Sequence, residues 1–138
     1  MIKQKQTILH DPAQGQIGNC FSTCIACLLN LSPDHVPNFC ENDHWREDTN
    51  VFLRDHFMFY QDIILPGDMR DDIVSDWGFH VMSGKTVRGT RHSIIGLKGE
   101  RYWDVHPSND GLIEVMEYGF LIPKLFDGVY IYGRSECE

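Results

Sequence analysis

The sequence predicts an α+β domain in which an N-terminal helix packs on an antiparallel β-sheet, and three observations carry that reading. Helical periodicity is confined to the first part of the chain. From Phe79 onward the segments are short, β-branched or aromatic, and separated by Gly or Pro. The βα alternation that builds a parallel sheet is missing. A single domain over residues 1–138 is expected, because this length suits one compact unit and 42% hydrophobic residues supply a core without metal or disulfide support.

Each element has its own signal. Gln14-Gly15-Gln16-Ile17-Gly18-Asn19 is a turn-forming lead-in, and Asn19 is a good N-cap for a helix over Cys20–Leu31. Cys20, Cys24, Cys27, Leu28 and Leu31 fall on one stripe of that helix, and Ser32-Pro33-Asp34 ends it. A second helix is expected from about His44 to Tyr60, with Trp45, Val51, Phe52, Phe59 and Tyr60 as its apolar positions. Its acidic start, Glu41–Asp48, suits the positive end of a helix dipole. A third, Asp68–Trp77, would turn Met69, Ile73 and Val74 inward. Strands follow at Phe79–Met82, His92–Leu97, Arg101–Val105, Leu112–Glu117 and Val129–Tyr132, with Lys98-Gly99 as a hairpin turn.

Charge and targeting signals narrow the partners. Twelve Lys+Arg against twenty Asp+Glu leave a net charge of −8, which repels phosphate, so nucleic acid is not expected as a partner. The N-terminal lysines are not followed by the apolar stretch of a signal peptide, and the longest nearly apolar run, Cys24–Leu31, is far too short to span a bilayer. The expectation is therefore a cytoplasmic protein without membrane association, its five cysteines mostly free thiols.

Three of those cysteines lie within eight residues, and Cys20 is the one placed for chemistry. In the first turn of a helix, unpaired N–H groups and the dipole favour a thiolate, which is the form a cysteine nucleophile needs. Gln14, six residues upstream, is the candidate for an amide that joins the Cys20 backbone N–H in holding an oxyanion, with Gln16 as its rival. His92 opens one expected strand and Asp104 closes the next, so a hairpin can set the carboxylate beside the imidazole. Register decides this. A two-residue turn at Lys98-Gly99 pairs His92 with Val105 and sends Asp104 to the opposite face, so a longer loop is expected. His106 and Asn109 are the alternatives to Asp104 as orienting group.

The stretch from Gln14 to Cys20 resembles the Gln-to-Cys lead-in of papain-like cysteine peptidases, and Cys20–Leu29 is similar to the buried nucleophile helix of that superfamily. His92-Ser93-Ile94-Ile95-Gly96 followed by Asp104-Val105-His106-Pro107-Ser108 resembles the branch that processes bacteriocin leaders. Gly18-Asn19-Cys20-Phe21, Val36-Pro37-Asn38-Phe39 and His106–Leu112 resemble small phage and bacterial proteins of that kind. The resemblance implies a papain-like domain with Cys20 as nucleophile, His92 as base, Asp104 orienting it and Gln14 as oxyanion donor. It implies a hydrolase, peptidase or amidase, acting on a peptide, protein or other amide without a cofactor. Two departures stand out: Phe21 occupies a place where these peptidases often have Gly, and the spacing from His92 to Asp104 is short.

Other classes compete. A non-catalytic binder could keep this fold with Phe21 filling the substrate's place; a Cys20→Ser variant retaining full biological effect would favour it. Cys20, Cys24 and Cys27 have the spacing of a three-thiolate iron–sulfur site, but the chain is too short for the barrel that such enzymes use. Zinc on Cys20, Cys24, Cys27 and either Cys40 or a histidine lacks the second ligand pair of a structural site. Cys24 and Cys27 read as core side chains, and no metal or cofactor is expected.

Overall fold

The computed structural model describes residues 1–64, Val74 and residues 76–124. Among them are two α-helices, α1 (Cys20–Leu29) and α2 (Trp45–Arg54), and five strands. The strands are β1 (Met58–Ile63), β2 (Phe79–Lys85), β3 (Arg91–Leu97), β4 (Glu100–Trp103) and β5 (Glu114–Pro123). They form one antiparallel sheet in the order β1-β5-β2-β3-β4, so the chain returns to insert β5 between the first two strands. Helix α1 packs on β3 and β2, and α2 packs on β1. The α+β expectation, a helix on an antiparallel sheet, is met at this level. Among the described residues no helix is long and apolar enough to cross a membrane.

Helix α1 is buried almost all round: Phe21 through Cys27 are buried without interruption. Cys24, Ile25, Ala26 and Cys27 meet Val81, Ile95 and Val105, and Phe39, Leu53 and Tyr60 complete this core. A second core gathers Val74, Met82, Ile94, Tyr118 and Phe120. The alternation within β2 and β3 feeds both cores, with Val81 and Ile95 in the first and Met82 and Ile94 in the second.

Several local expectations are corrected. Helix α1 stops at Leu29 because Asn30 takes a left-handed conformation (φ 60°) and its N–H reaches back to the last carbonyls. Asn19 does not cap α1 with its side chain. Its amide instead accepts from the Ile8 N–H at 3.0 Å and donates to Thr7 Oγ at 3.0 Å, fastening the N-terminal segment to the start of the helix. The second helix ends at Arg54 rather than near Tyr60, and Val51 faces solvent. Phe57 then adopts φ 58°, costly for a bulky residue, and the chain leaves as β1. Asn50 ties the two elements together by accepting the Tyr60 N–H at 2.7 Å.

The remaining strands are displaced or longer. β5 runs Glu114–Pro123 where Leu112–Glu117 was expected, and β2 extends to Lys85. The helix expected over Asp68–Trp77 lies largely outside the described residues, and the strand expected over Val129–Tyr132 lies wholly outside them.

Candidate active site

Cys20 begins α1, half-buried, at the edge of a cleft of ≈ 1100 Å³ that His92 and Ser93 also line. The β3–β4 hairpin brings the other two groups. Its turn is the two-residue one, Leu97 pairing with Glu100 and both Lys98 (φ 54°) and Gly99 (φ 83°) left-handed, so the longer loop expected from the sequence is wrong. The shared face is recovered inside the strand. Ile95 pairs with Trp103 whereas Gly96 pairs with Arg101, so Tyr102 is an extra residue in β4. That bulge shifts the register by one and puts Asp104 on the His92 side of the hairpin.

The two then meet. His92 Nε2 donates to Asp104 Oδ1 at 2.7 Å, with both side chains almost completely buried. Asp104 also accepts the His106 N–H on Oδ1 and the Gly111 N–H on Oδ2, each at 2.8 Å. The loop between His106 and Gly111 thus folds around the carboxylate and holds it charged. His106 and Asn109 do not replace it as orienting group. His106 gives its backbone N–H, and the Asn109 side chain accepts from Lys5.

Electrostatics follow from these contacts. Burial pushes the Cys20 thiol up, but a hydrogen bond and the charge of His92, joined by the backbone N–H groups of Ser93 and Phe21, bring it below its ordinary value. Burial works against charge on His92 too, yet the hydrogen bonds to Asp104 and Cys20 prevail and raise it to about 9. Burial likewise opposes charge on Asp104, and its bonds from His92, His106 and Gly111 hold it well below the usual carboxylate range. With Nε2 given to Asp104, Nδ1 is the nitrogen left for the thiol. Each group thus favours the charged form of the other, thiolate on Cys20 and imidazolium on His92.

One turn along the same helix the chemistry is absent. Burial pushes Cys24 well above an ordinary thiol, raises Cys27 and takes Cys40 to about 11. Cys24 and Cys27 are core side chains, as expected. Among the described residues no three His, Cys, Asp or Glu side chains are grouped so as to hold a metal ion.

Gln14 is not brought to the site. It closes a short 3₁₀ turn (Pro12–Gln14) on the surface, exposed and outside the residues lining the cleft. Its rival Gln16 is exposed and donates to the Leu9 carbonyl. The glutamine that lines the cleft is Gln6, which sequence reasoning missed. Its backbone N–H donates to the Val105 carbonyl at 2.8 Å, next to Asp104, and its Nε2 donates to the Ile8 carbonyl at 2.8 Å. Its buried Oε1 has no partner among the described residues. Gly18 permits this close approach, since a Cβ there would stand 2.8 Å from the His10 nitrogen and 3.3 Å from Gln6 Nε2. The only sequence signal for Gln6 is a polar residue in an extended N-terminal run, and nothing local distinguishes it from Gln4.

Phe21 does not fill the cleft. It is a core residue, 5% exposed, with its ring edge-on to Tyr60 at 5.2 Å and Trp45 at 5.3 Å. These three aromatics form one wall of the cleft. Compared with known proteins, the chain matches no protein-family model, no curated protein and no solved structure.

Proposed function

We propose that this domain is a papain-like thiol hydrolase, a cysteine peptidase or amidase acting on a peptide, protein or other amide. The observation that carries the reading is the convergence of a thiol of lowered pKa, an imidazole of raised pKa and a buried carboxylate bonded to that imidazole. Structural cysteines have no need of such partners, as Cys24 shows.

The steps use this chain's own groups. The Cys20 thiolate attacks the acyl carbon, and the carbonyl oxygen becomes an oxyanion stabilised by the Cys20 backbone N–H and a side-chain amide. Gln6 replaces Gln14 in that last role, because Gln6 lines the cleft and Gln14 does not. As the C–N bond breaks, imidazolium His92 gives its proton to the departing amine, leaving a thioester on Cys20. Neutral His92 then takes a proton from water, whose oxygen attacks the thioester, and the acid is released with the thiolate restored. Asp104 keeps the imidazole oriented throughout and favours its protonated form. The reaction requires no cofactor.

The test is digestion of a mixed peptide library, with products identified by mass spectrometry, by wild type and by Cys20→Ala. Cleavage products made by the wild type alone, with an acyl adduct trapped on Cys20 by rapid acid quench, are the expected result. Products made equally by both proteins, or no adduct and no products, contradict the reading.

A further inference from the structure

The cleft is lined by arginines although the protein as a whole is acidic. The chain carries a net charge of −8. Among the described residues lining the cleft are Arg46, Arg88 and Arg91 and one acidic residue, Glu117, and each arginine is paired with a carboxylate: Asp62, Asp110 and Glu117 respectively. Two of these arginines stand on the imidazole side. Arg88 lies in the turn that joins β2 to β3, and Arg91 is the residue before His92. Both are held loosely by carboxylates of the protein itself: Arg88 Nη1 lies 3.3 Å from Asp110 Oδ2, and Arg91 Nη2 lies 3.5 Å from Glu117 Oε2. Pairs this long and partly open to solvent are worth little, so another carboxylate can take the guanidinium in exchange.

His106 adds a fixed donor next to them. Ser108 Oγ accepts from Arg88 Nη1 at 3.0 Å and from the Asp110 N–H at 3.2 Å. Its own proton therefore goes to His106 Nδ1, 2.9 Å away, which also accepts the Ser108 N–H at 3.0 Å. With Nδ1 accepting twice, the proton of neutral His106 sits on Nε2. The ring lines the cleft with its centroid 5.7 Å from that of His92. Arg88 and His106, joined through Ser108, thus place donors beside the His92 ring, which hands its proton to the departing amine, and Arg91 directly precedes that histidine in β3.

We propose that the substrate carries a carboxylate on its leaving-amine side, bound by Arg88 and Arg91, with His106 Nε2–H donating to an oxygen of the same segment. This rests on Cys20 being the nucleophile. The favoured substrates are then amides whose amine half is an amino acid with a free carboxylate or an acidic residue. Guanidinium groups supply the paired donors that a carboxylate matches.

The probes are N-iodoacetylglycine and N-iodoacetylglycinamide, alike in reach and differing in charge. Their rates of alkylation at Cys20 are read by mass spectrometry in wild type, Arg91→Gln, Arg88→Gln, the double variant and Arg91→Lys. The ratio of the two rates within each protein cancels any general loss of reactivity. In wild type the ratio should exceed that of the unfolded chain by about tenfold. It should fall in each single Gln variant, approach the unfolded value in the double variant, and be partly kept by Arg91→Lys. A wild-type ratio no higher than the unfolded one, or an elevated ratio that survives the double substitution, overturns the proposal while leaving a reactive Cys20. If both reagents react slowly with Cys20, the nucleophile itself is overturned and the proposal with it.

Discussion

Two histidines stand on neighbouring strands, each opposite a glycine of the other: His80 pairs with Gly96, and His92 pairs with Gly84. Both are buried, His80 completely and His92 to 4% exposure. Their chemistry is opposite. His80 sits beside the rings of Tyr118 and Phe120, at centroid distances of 5.9 and 5.5 Å, and its Nε2 accepts the Gly99 N–H at 3.0 Å. Burial therefore lowers its pKa and keeps it neutral, and its one sequence-distant bond fastens the β3–β4 turn. His92 has the same burial, but Asp104 and Cys20 bond to it, and its pKa rises to about 9. Burial by itself makes a histidine a structural acceptor. Burial with a carboxylate and a thiol turns it into a charged partner.

The comparison can be broken most severely at Asp104. Replacing it by Ala leaves the buried imidazolium and two backbone N–H groups without their acceptor, a loss expected to cost about 3–5 kcal/mol. Chemical denaturation of Asp104→Ala checks this, and an Asn variant with near-normal stability but a lowered His92 pKa would separate shape from charge. Next is Gln6, the proposed oxyanion donor. Gln6→Ala should lower kcat by about 10²–10³-fold, whereas Gln14→Ala should leave it within a few-fold, both measured on whichever peptide the library digestion identifies.

At His80 the effect is smaller. His80→Leu removes the acceptor of the Gly99 N–H and should cost about 1–3 kcal/mol, again read by denaturation. Titration distinguishes the two rings without mutation. Between about pH 6.5 and 9 the folded chain keeps on His92 a proton that the unfolded chain has released. Its contribution to stability is therefore full below about pH 6.5 and is lost as pH rises through about 9. His80 has the reverse slope, since its pKa is lowered: its contribution is present above about pH 6.5 and is lost as the pH falls. Proton NMR of the two rings should show His92 titrating near pH 9 and His80 titrating below the ordinary histidine range.

The same contrast shows what the sequence made legible. Cys20, His92 and Asp104, which the fold brings together, could be singled out because each was expected at the end of an element with a local signal: a helix start, a strand start and a strand end. The α+β class followed from texture alone. What sequence reasoning missed depends on contacts between distant residues. The Tyr102 bulge has no signature of its own, and it overturned the loop length without disturbing the pair that the loop was meant to explain. Gln6 reaches the cleft because its backbone pairs with Val105, ninety-nine residues away, and because Gly18 leaves room for it. β1 was hidden because Phe59 and Tyr60 also fit the helical spacing of the preceding segment. The left-handed Phe57 that separates the two is exposed and is not favoured by its own side chain; its N–H donates to the Arg54 carbonyl at 3.1 Å and its carbonyl accepts the Lys124 N–H at 2.7 Å.

The most direct test of the Cys20–His92 pair is the pH dependence of iodoacetamide labelling, followed cysteine by cysteine by mass spectrometry in the native protein and in His92→Ala. The account predicts that Cys20 reacts rapidly well below the ordinary thiol pKa of about 8.5, that Cys24 and Cys27 stay unlabelled, and that His92→Ala removes the low-pH reactivity. Cys20 as inert as Cys24 and Cys27, or low-pH labelling unchanged in His92→Ala, would contradict it.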